Sequence, residues 1–148
     1  MFIEAGRLVQ EGTPQEVIAR PRDAYVAHVV GLNFLRGQRI GDQQVDVGGT
    51  IVMAPGIPTG GSGGSVCVTI PPSAVALYRT RPDGSPRNTW LVTVSDIQLV
   101  GQTARVIFDG PFILAAEVTA GAVADLRLGV GQELWATVKA TEVSVYPA

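Results

Sequence analysis

From about Leu32 to its end the chain alternates apolar and polar residues with a period of two, in short runs cut by Gly, Pro and Asp-Gly. Such runs place one face of each strand inward, and many short strands of this kind close into a sandwich or a small barrel. Val45 and Val47, then Ile51 and Met53, flank Gly48-Gly49 as a hairpin with a two-residue turn. A second hairpin is predicted from 104–108 to 112–116 through Asp109-Gly110. One short helix interrupts the strands, over 120–128, with Thr119 as its cap and Gly129 beyond its end. The single cysteine, Cys67, sits in the alternating Val66-Cys67-Val68-Thr69-Ile70 and reads as a small hydrophobe in a strand, so no disulfide framework exists.

Residues 1–31 follow a different pattern. A hairpin turning near Ala5-Gly6 is predicted over 3–12. Thr13-Pro14-Gln15-Glu16 then supplies a cap hydroxyl, a proline at the first helical position and a glutamate three places after the cap, which is a capping box opening a helix through Ala19. Pro21 opens a second helix in which Tyr25 stacks with Val29 and Val26 with Val30 before Gly31 ends it. This strand-helix-helix segment has too small an apolar stripe to fold alone and is expected to dock on something larger.

At 148 residues the expectation is one domain with a small appendage. With 46% apolar and only 16% charged residues the chain reads as folded. No apolar run reaches the roughly 20 residues a membrane-spanning helix needs, so no direct membrane insertion is expected. The start lacks the features of a secretory signal, which points to a cytoplasmic location. The net charge is −2 with scattered basic residues, which argues against a nucleic-acid partner.

The β region contains an internal echo. The run from Val66 to Tyr78 parallels that from Leu134 to Tyr146 in apolar pattern, and Asn33-Phe34-Leu35 parallels Asn88-Thr89-Trp90. Two related β units, 33–78 and 88–146, account for it. Two strands of one sheet converging on the same alternation remain an alternative.

Catalytic groups are few. His28 has no second ligand-type residue at helical spacing, so no metal site is expected, and nothing pairs it with Cys67 or a serine as a nucleophile and base. The run Thr59-Gly60-Gly61-Ser62-Gly63-Gly64 lacks the Gly-Lys-Ser/Thr that opens a helix in a phosphate-binding loop, and reads as a flexible loop. No catalytic residue is assigned. The polar cluster that stands out is Ser85-Pro86-Arg87-Asn88 entering one strand and Lys139-Ala140-Thr141 leaving another. A hydroxyl, a guanidinium, an ammonium and free backbone N–H groups at strand ends are what a tetrahedral dianion requires. Lys139 is the one lysine beside ten arginines, and a compact ammonium is a different tool from a guanidinium. The residues alone leave open that Arg87 and Lys139 are ordinary solvated charges and Ser85 and Thr141 ordinary turn residues.

Two stretches resemble known families. Glu4-Ala5-Gly6-Arg7-Leu8-Val9-Gln10-Glu11-Gly12-Thr13-Pro14, then Pro21, Tyr25-Val26-Ala27, Gly31 and Asn33-Phe34-Leu35-Arg36-Gly37, resemble the end of an ABC importer ATPase that carries a C-terminal accessory domain. Ser85-x-Arg87-Asn88, Ala116-Glu117-Val118-Thr119, Leu126-x-Leu128-Gly129-x-Gly131 and Lys139-Ala140-Thr141-x-Val143 resemble the molybdate-binding Mop or TOBE repeat. The resemblance implies a mainly β, OB-like barrel over 37–148, preceded by the tail of a nucleotide-binding domain over 1–36. It implies molybdate or tungstate as ligand, with Ser85, Arg87, Asn88, Thr119, Lys139, Ala140 and Thr141 as binding residues. It further implies a homodimer and ABC permease partners at the inner face of the cell membrane. ATP and Mg would belong to a parent domain upstream of Met1, with the phosphate-binding loop, signature motif, catalytic glutamate and switch histidine.

Two departures weaken the implied site. Pro86 removes a backbone N–H beside it, and Pro71-Pro72-Ser73 stands in the first unit where the second has Lys139-Ala140-Thr141. The alternative is a purely structural dimerisation domain of an importer ATPase for sulfate, sugar or iron. An independent oxyanion-storage protein would leave residues 1–36 without a role.

Overall fold

The computed structural model describes residues 31–57, 64–83 and 88–148 in full, and the backbone alone at 2–4, 7–10 and 87. The two helices expected within 13–31, His28, most of the glycine run and Ser85-Pro86 lie outside the described residues. Near the start, β1 (Phe2–Glu4) pairs antiparallel with β2 (Arg7–Gln10), Glu4 opposite Arg7, which is the hairpin expected there.

Turn chemistry sets the next hairpin. β4 (Gln44–Val47) and β5 (Thr50–Met53) are joined by Gly48 and Gly49 at φ 57° and 93°, the left-handed conformations a two-residue turn requires. β3 (Asn33–Arg39) joins this hairpin only at Gln38 and Arg39, and pairs along Asn33–Gln38 with β6 (Ser65–Ile70). Gly37, where one pairing gives way to the other, lets β4 come close to β3. A Cβ there would stand 2.6 Å from the Asp46 carbonyl oxygen and from Val45 Cγ1.

A 3-10 turn, Pro72–Ala74, leads from β6 to β7 (Ala76–Tyr78). The 14-residue β8 (Arg87–Val100) then serves two partners, pairing over its first half with β11 (Glu133–Lys139) and over its second with β9 (Thr103–Asp109). A register shift between Val94 and Asp96 bends the strand where it changes partner, which is the usual work of a β-bulge. β10 (Leu114–Thr119) pairs with β9 and runs into α1 (Ala120–Asp125), where Thr119 Oγ1 accepts from the Ala122 N–H at 3.0 Å. The helix ends before the expected 128. Leu128 donates to the Val123 carbonyl and Arg127 to that of Ala124, with Arg127 at φ 50° in the position a glycine commonly fills. A second 3-10 turn, Ala140–Glu142, leads from β11 to β12 (Ser144–Pro147).

The strands form two five-stranded sheets, ordered β12-β6-β3-β4-β5 and β10-β9-β8-β11-β7. In the second sheet Cα atoms of the edge strands β10 and β7 come within 8 Å of one another, so it curls toward a closed, OB-like barrel. Its core is Leu77, Trp90, Val92, Val94, Val106, Phe108, Leu114, Leu134 and Val138, all buried. The first sheet buries Leu35, Val45, Val52, Val66, Val68, Ile70 and Tyr146. Cys67 is fully buried in β6.

By contacts the chain divides into one unit that closes at Ile70 and takes back Val143–Ala148, and a second, Pro71–Glu142. These boundaries differ from 33–78 and 88–146. The strand after each 3-10 turn leaves its own repeat: β7 joins the sheet of β8 and β11, and β12 that of β3 and β6.

Candidate functional site

The last residue of β11 and the first of β8 are paired side by side at the candidate site. Alternation along β11 turns Leu134, Ala136 and Val138 into the barrel, and leaves Lys139 exposed where the strand breaks into Ala140–Glu142. Directly across the ladder from Lys139 stands Arg87, the first residue of β8. One rung in, Asn88 faces Val138, is 3% exposed, and donates from Nδ2 to the Val138 carbonyl at 3.4 Å. A buried amide is costly without a partner, and this bond ties the two strand ends together.

Beside Lys139 lies a cleft of about 420 Å³ on the second unit. Its polar lining residues are Ser73, Tyr78, Thr137, Lys139 and Glu142. Pairing explains the assembly: Ala76 of β7 stands opposite Thr137 and Tyr78 opposite Trp135, so the outward positions of β7 and β11 form one surface. Among the described residues no ion pair engages Lys139. Glu142 lines the same cleft and brings a negative charge into it.

Of the residues singled out by sequence, the structure brings together Arg87 in register, Asn88, Lys139 and the turn residues Ala140 and Thr141. Ser85 lies outside the described residues. Thr119 stands elsewhere: it pairs with Thr103, which pairs with Val100, the opposite end of β8 from Arg87, and its oxygen is engaged in capping α1. Ser73, Tyr78, Thr137 and Glu142 were not singled out. Thr137 was within reach, being two places before Lys139 on the same face of a strand. Ser73 and Tyr78 depend on β7 pairing with β11, which local pattern does not reveal.

The first unit has a cleft of about 410 Å³ whose lining includes Arg36, Gln38, Asp46 and Ser65. Its polar groups are largely turned on one another: Gln38 Nε2 donates to Ser65 Oγ at 3.1 Å, and Gly49 N–H to Asp46 Oδ1 at 2.9 Å. Arg36 lies over the Phe34 ring, 5.7 Å from its centroid.

Comparison with known proteins adds three observations. The TOBE domain family matches residues 84–145. The molybdenum import ATP-binding protein ModC of Mycobacterium tuberculosis (strain CDC 1551) is 33% identical over 156 residues, covering 100% of this chain and 42% of its own. The molybdate/tungstate import ATP-binding protein WtpC of Pyrococcus horikoshii is 26% identical over 150 residues, covering 96% of this chain and 40% of its own. The chain thus spans about two fifths of the length of these relatives, at their C-terminal part. Among solved structures, the cytoplasmic molybdate-binding protein ModG with molybdate bound superposes with a TM-score of 0.63 at 22% identity, over 78% of this chain and 96% of that one. That likeness establishes the shared fold.

Proposed function

We propose, from the TOBE match over residues 84–145 and the likeness along the whole chain to the C-terminal part of molybdate-type import ATP-binding subunits, that this chain is the accessory, regulatory and dimerising module of such a subunit and binds the oxyanion itself. Residues 1–36 then close a nucleotide-binding domain and 37–148 form the accessory β domain. ATP and Mg belong to the remaining three fifths of the parent, which works with permease subunits at the cytoplasmic face of the membrane.

The observation that carries the binding reading is that Lys139 lines a cleft with Ser73, Tyr78 and Thr137, while in the β8–β11 ladder it stands opposite Arg87. A dianion placed there is met by opposite charge and by hydroxyl donors, and charge-assisted hydrogen bonds are roughly twice as strong as neutral ones. Ala140 and Thr141 would add a backbone N–H and a hydroxyl at the turn after β11, whereas the Asn88 amide is already engaged with the Val138 carbonyl. Thr119 has the weakest case, because its oxygen is engaged as a cap.

A purely structural module is the second reading, and the Glu142 carboxylate in the same cleft favours it, as does the N–H missing at Pro86. Thermal unfolding in the presence of oxyanions separates the two. A ligand bound only by the folded state stabilises it by about 2.7 kcal/mol at a hundredfold excess over its dissociation constant. Molybdate and tungstate should each raise the melting temperature, and sulfate should raise it less. No shift with any of them at millimolar concentration leaves the structural reading standing.

A further inference from the structure

The cleft beside Lys139 carries charges of both signs. Lys139 ends β11 immediately before the 3-10 turn Ala140–Glu142, and in a 3-10 turn side chains three places apart lie on the same side. Lys139 and Glu142 have that spacing, and both line the cleft with Ser73, Tyr78 and Thr137. They do not close on each other, since among the described residues the ion pair is Arg39 with Asp42. The titratable lining residues are Lys139, Glu142 and Tyr78, and on β8 the residue opposite Lys139 in the ladder is Arg87.

A carboxylate is a poor neighbour for a tetrahedral dianion. Both offer only acceptor oxygens, and like charges repel. A proton held between them turns the repulsion into a hydrogen bond, as it does for two carboxylates that share one site. Resting on the oxyanion-binding reading above, we infer that Glu142 determines which oxyanion the cleft accepts. A basic anion such as molybdate or tungstate enters with one proton, held between an anion oxygen and the Glu142 carboxylate, and sulfate, a much weaker base, is refused. Lys139 supplies the positive charge that each of these anions needs. Glu142 supplies the repulsive element by which ligands of the same charge and shape are told apart. The proton comes from solvent and returns to it on release.

Calorimetric titration of the wild type and Glu142→Gln with molybdate and with sulfate, each at neutral pH in two buffers of different ionisation enthalpy, tests this. The difference between buffers counts the protons taken up with each anion. The wild type is expected to take up about one proton per molybdate bound, since a group whose proton affinity rises in the complex binds protons there. Glu142→Gln keeps the size of the side chain and removes its charge. It is expected to bind molybdate without proton uptake and to bind sulfate on the order of tenfold more tightly than the wild type does, so that the preference narrows. Circular dichroism reports that the variant is folded, and should it not be, the wild-type proton count still decides. Molybdate binding to the wild type without proton uptake would overturn the inference, as would uptake retained in Glu142→Gln or an equal gain for both anions in that variant. Absence of binding of either anion by either protein would instead overturn the oxyanion reading on which the inference rests.

Discussion

Lys139 was visible in the sequence because a single lysine among eleven basic residues invites a reason. The sequence reading had already grouped it with Arg87, and the register of β8 and β11 sets the two residues opposite one another. Asn88 shows the same limit. Its residue type suggested a ligand, whereas burial turns its amide toward the Val138 carbonyl. Thr119 carried two expectations, as a helix cap and as a ligand, and the structure gives its oxygen the first of these duties. Thr119→Ala should therefore lower stability by about 1 kcal/mol, the usual loss of an N-cap, while leaving the affinity for molybdate within about twofold. Urea unfolding and a binding titration on the same sample measure both. A large loss of affinity at unchanged stability would return Thr119 to the site.

Elements bounded by local chemistry were legible from end to end. Gly48-Gly49 fixed the turn between β4 and β5, and alternation fixed the inward faces of β9 and β11. Elements shaped by distant contacts were less so. β10 begins at Leu114 and not at 112, and the Phe112 ring meets the Trp90 ring edge-on at 4.9 Å in the loop before it. The features that let β3 and β8 serve two partners leave little trace in the residue pattern: the close approach at Gly37 in β3 and a register shift in β8. Gly37→Ala tests the first of these. Its methyl would press on the Asp46 backbone, which cannot move without disturbing β4, so a loss of about 2–3 kcal/mol is expected, in the range of overpacked sites. A change below about 0.5 kcal/mol in chemical denaturation would show that the strands do not approach this closely.

For the whole molecule, a strand, a 3-10 turn and a strand recur where the apolar pattern repeats, but the sheet that each last strand joins was not readable, because period-two alternation suits either sheet equally. The exchange makes the end of the chain part of the first unit, with Tyr146 of β12 2% exposed. Truncation after Glu142 should strip β6 of a partner strand and cost more than the roughly 3–5 kcal/mol of removing one large buried aromatic. Hydrogen exchange would then show β3 and β6 deprotected while β8 and β9 stay protected, and uniform protection would contradict the exchanged arrangement. The central claim, that this module binds an oxyanion through Arg87 and Lys139, is tested most directly by calorimetric titration with molybdate of the wild type, Lys139→Ala and, as a control on another exposed cation, Arg79→Ala. The account predicts saturable heat for the wild type and Arg79→Ala and none for Lys139→Ala at the same concentrations. Equal heat in all three, or heat in none, would contradict it.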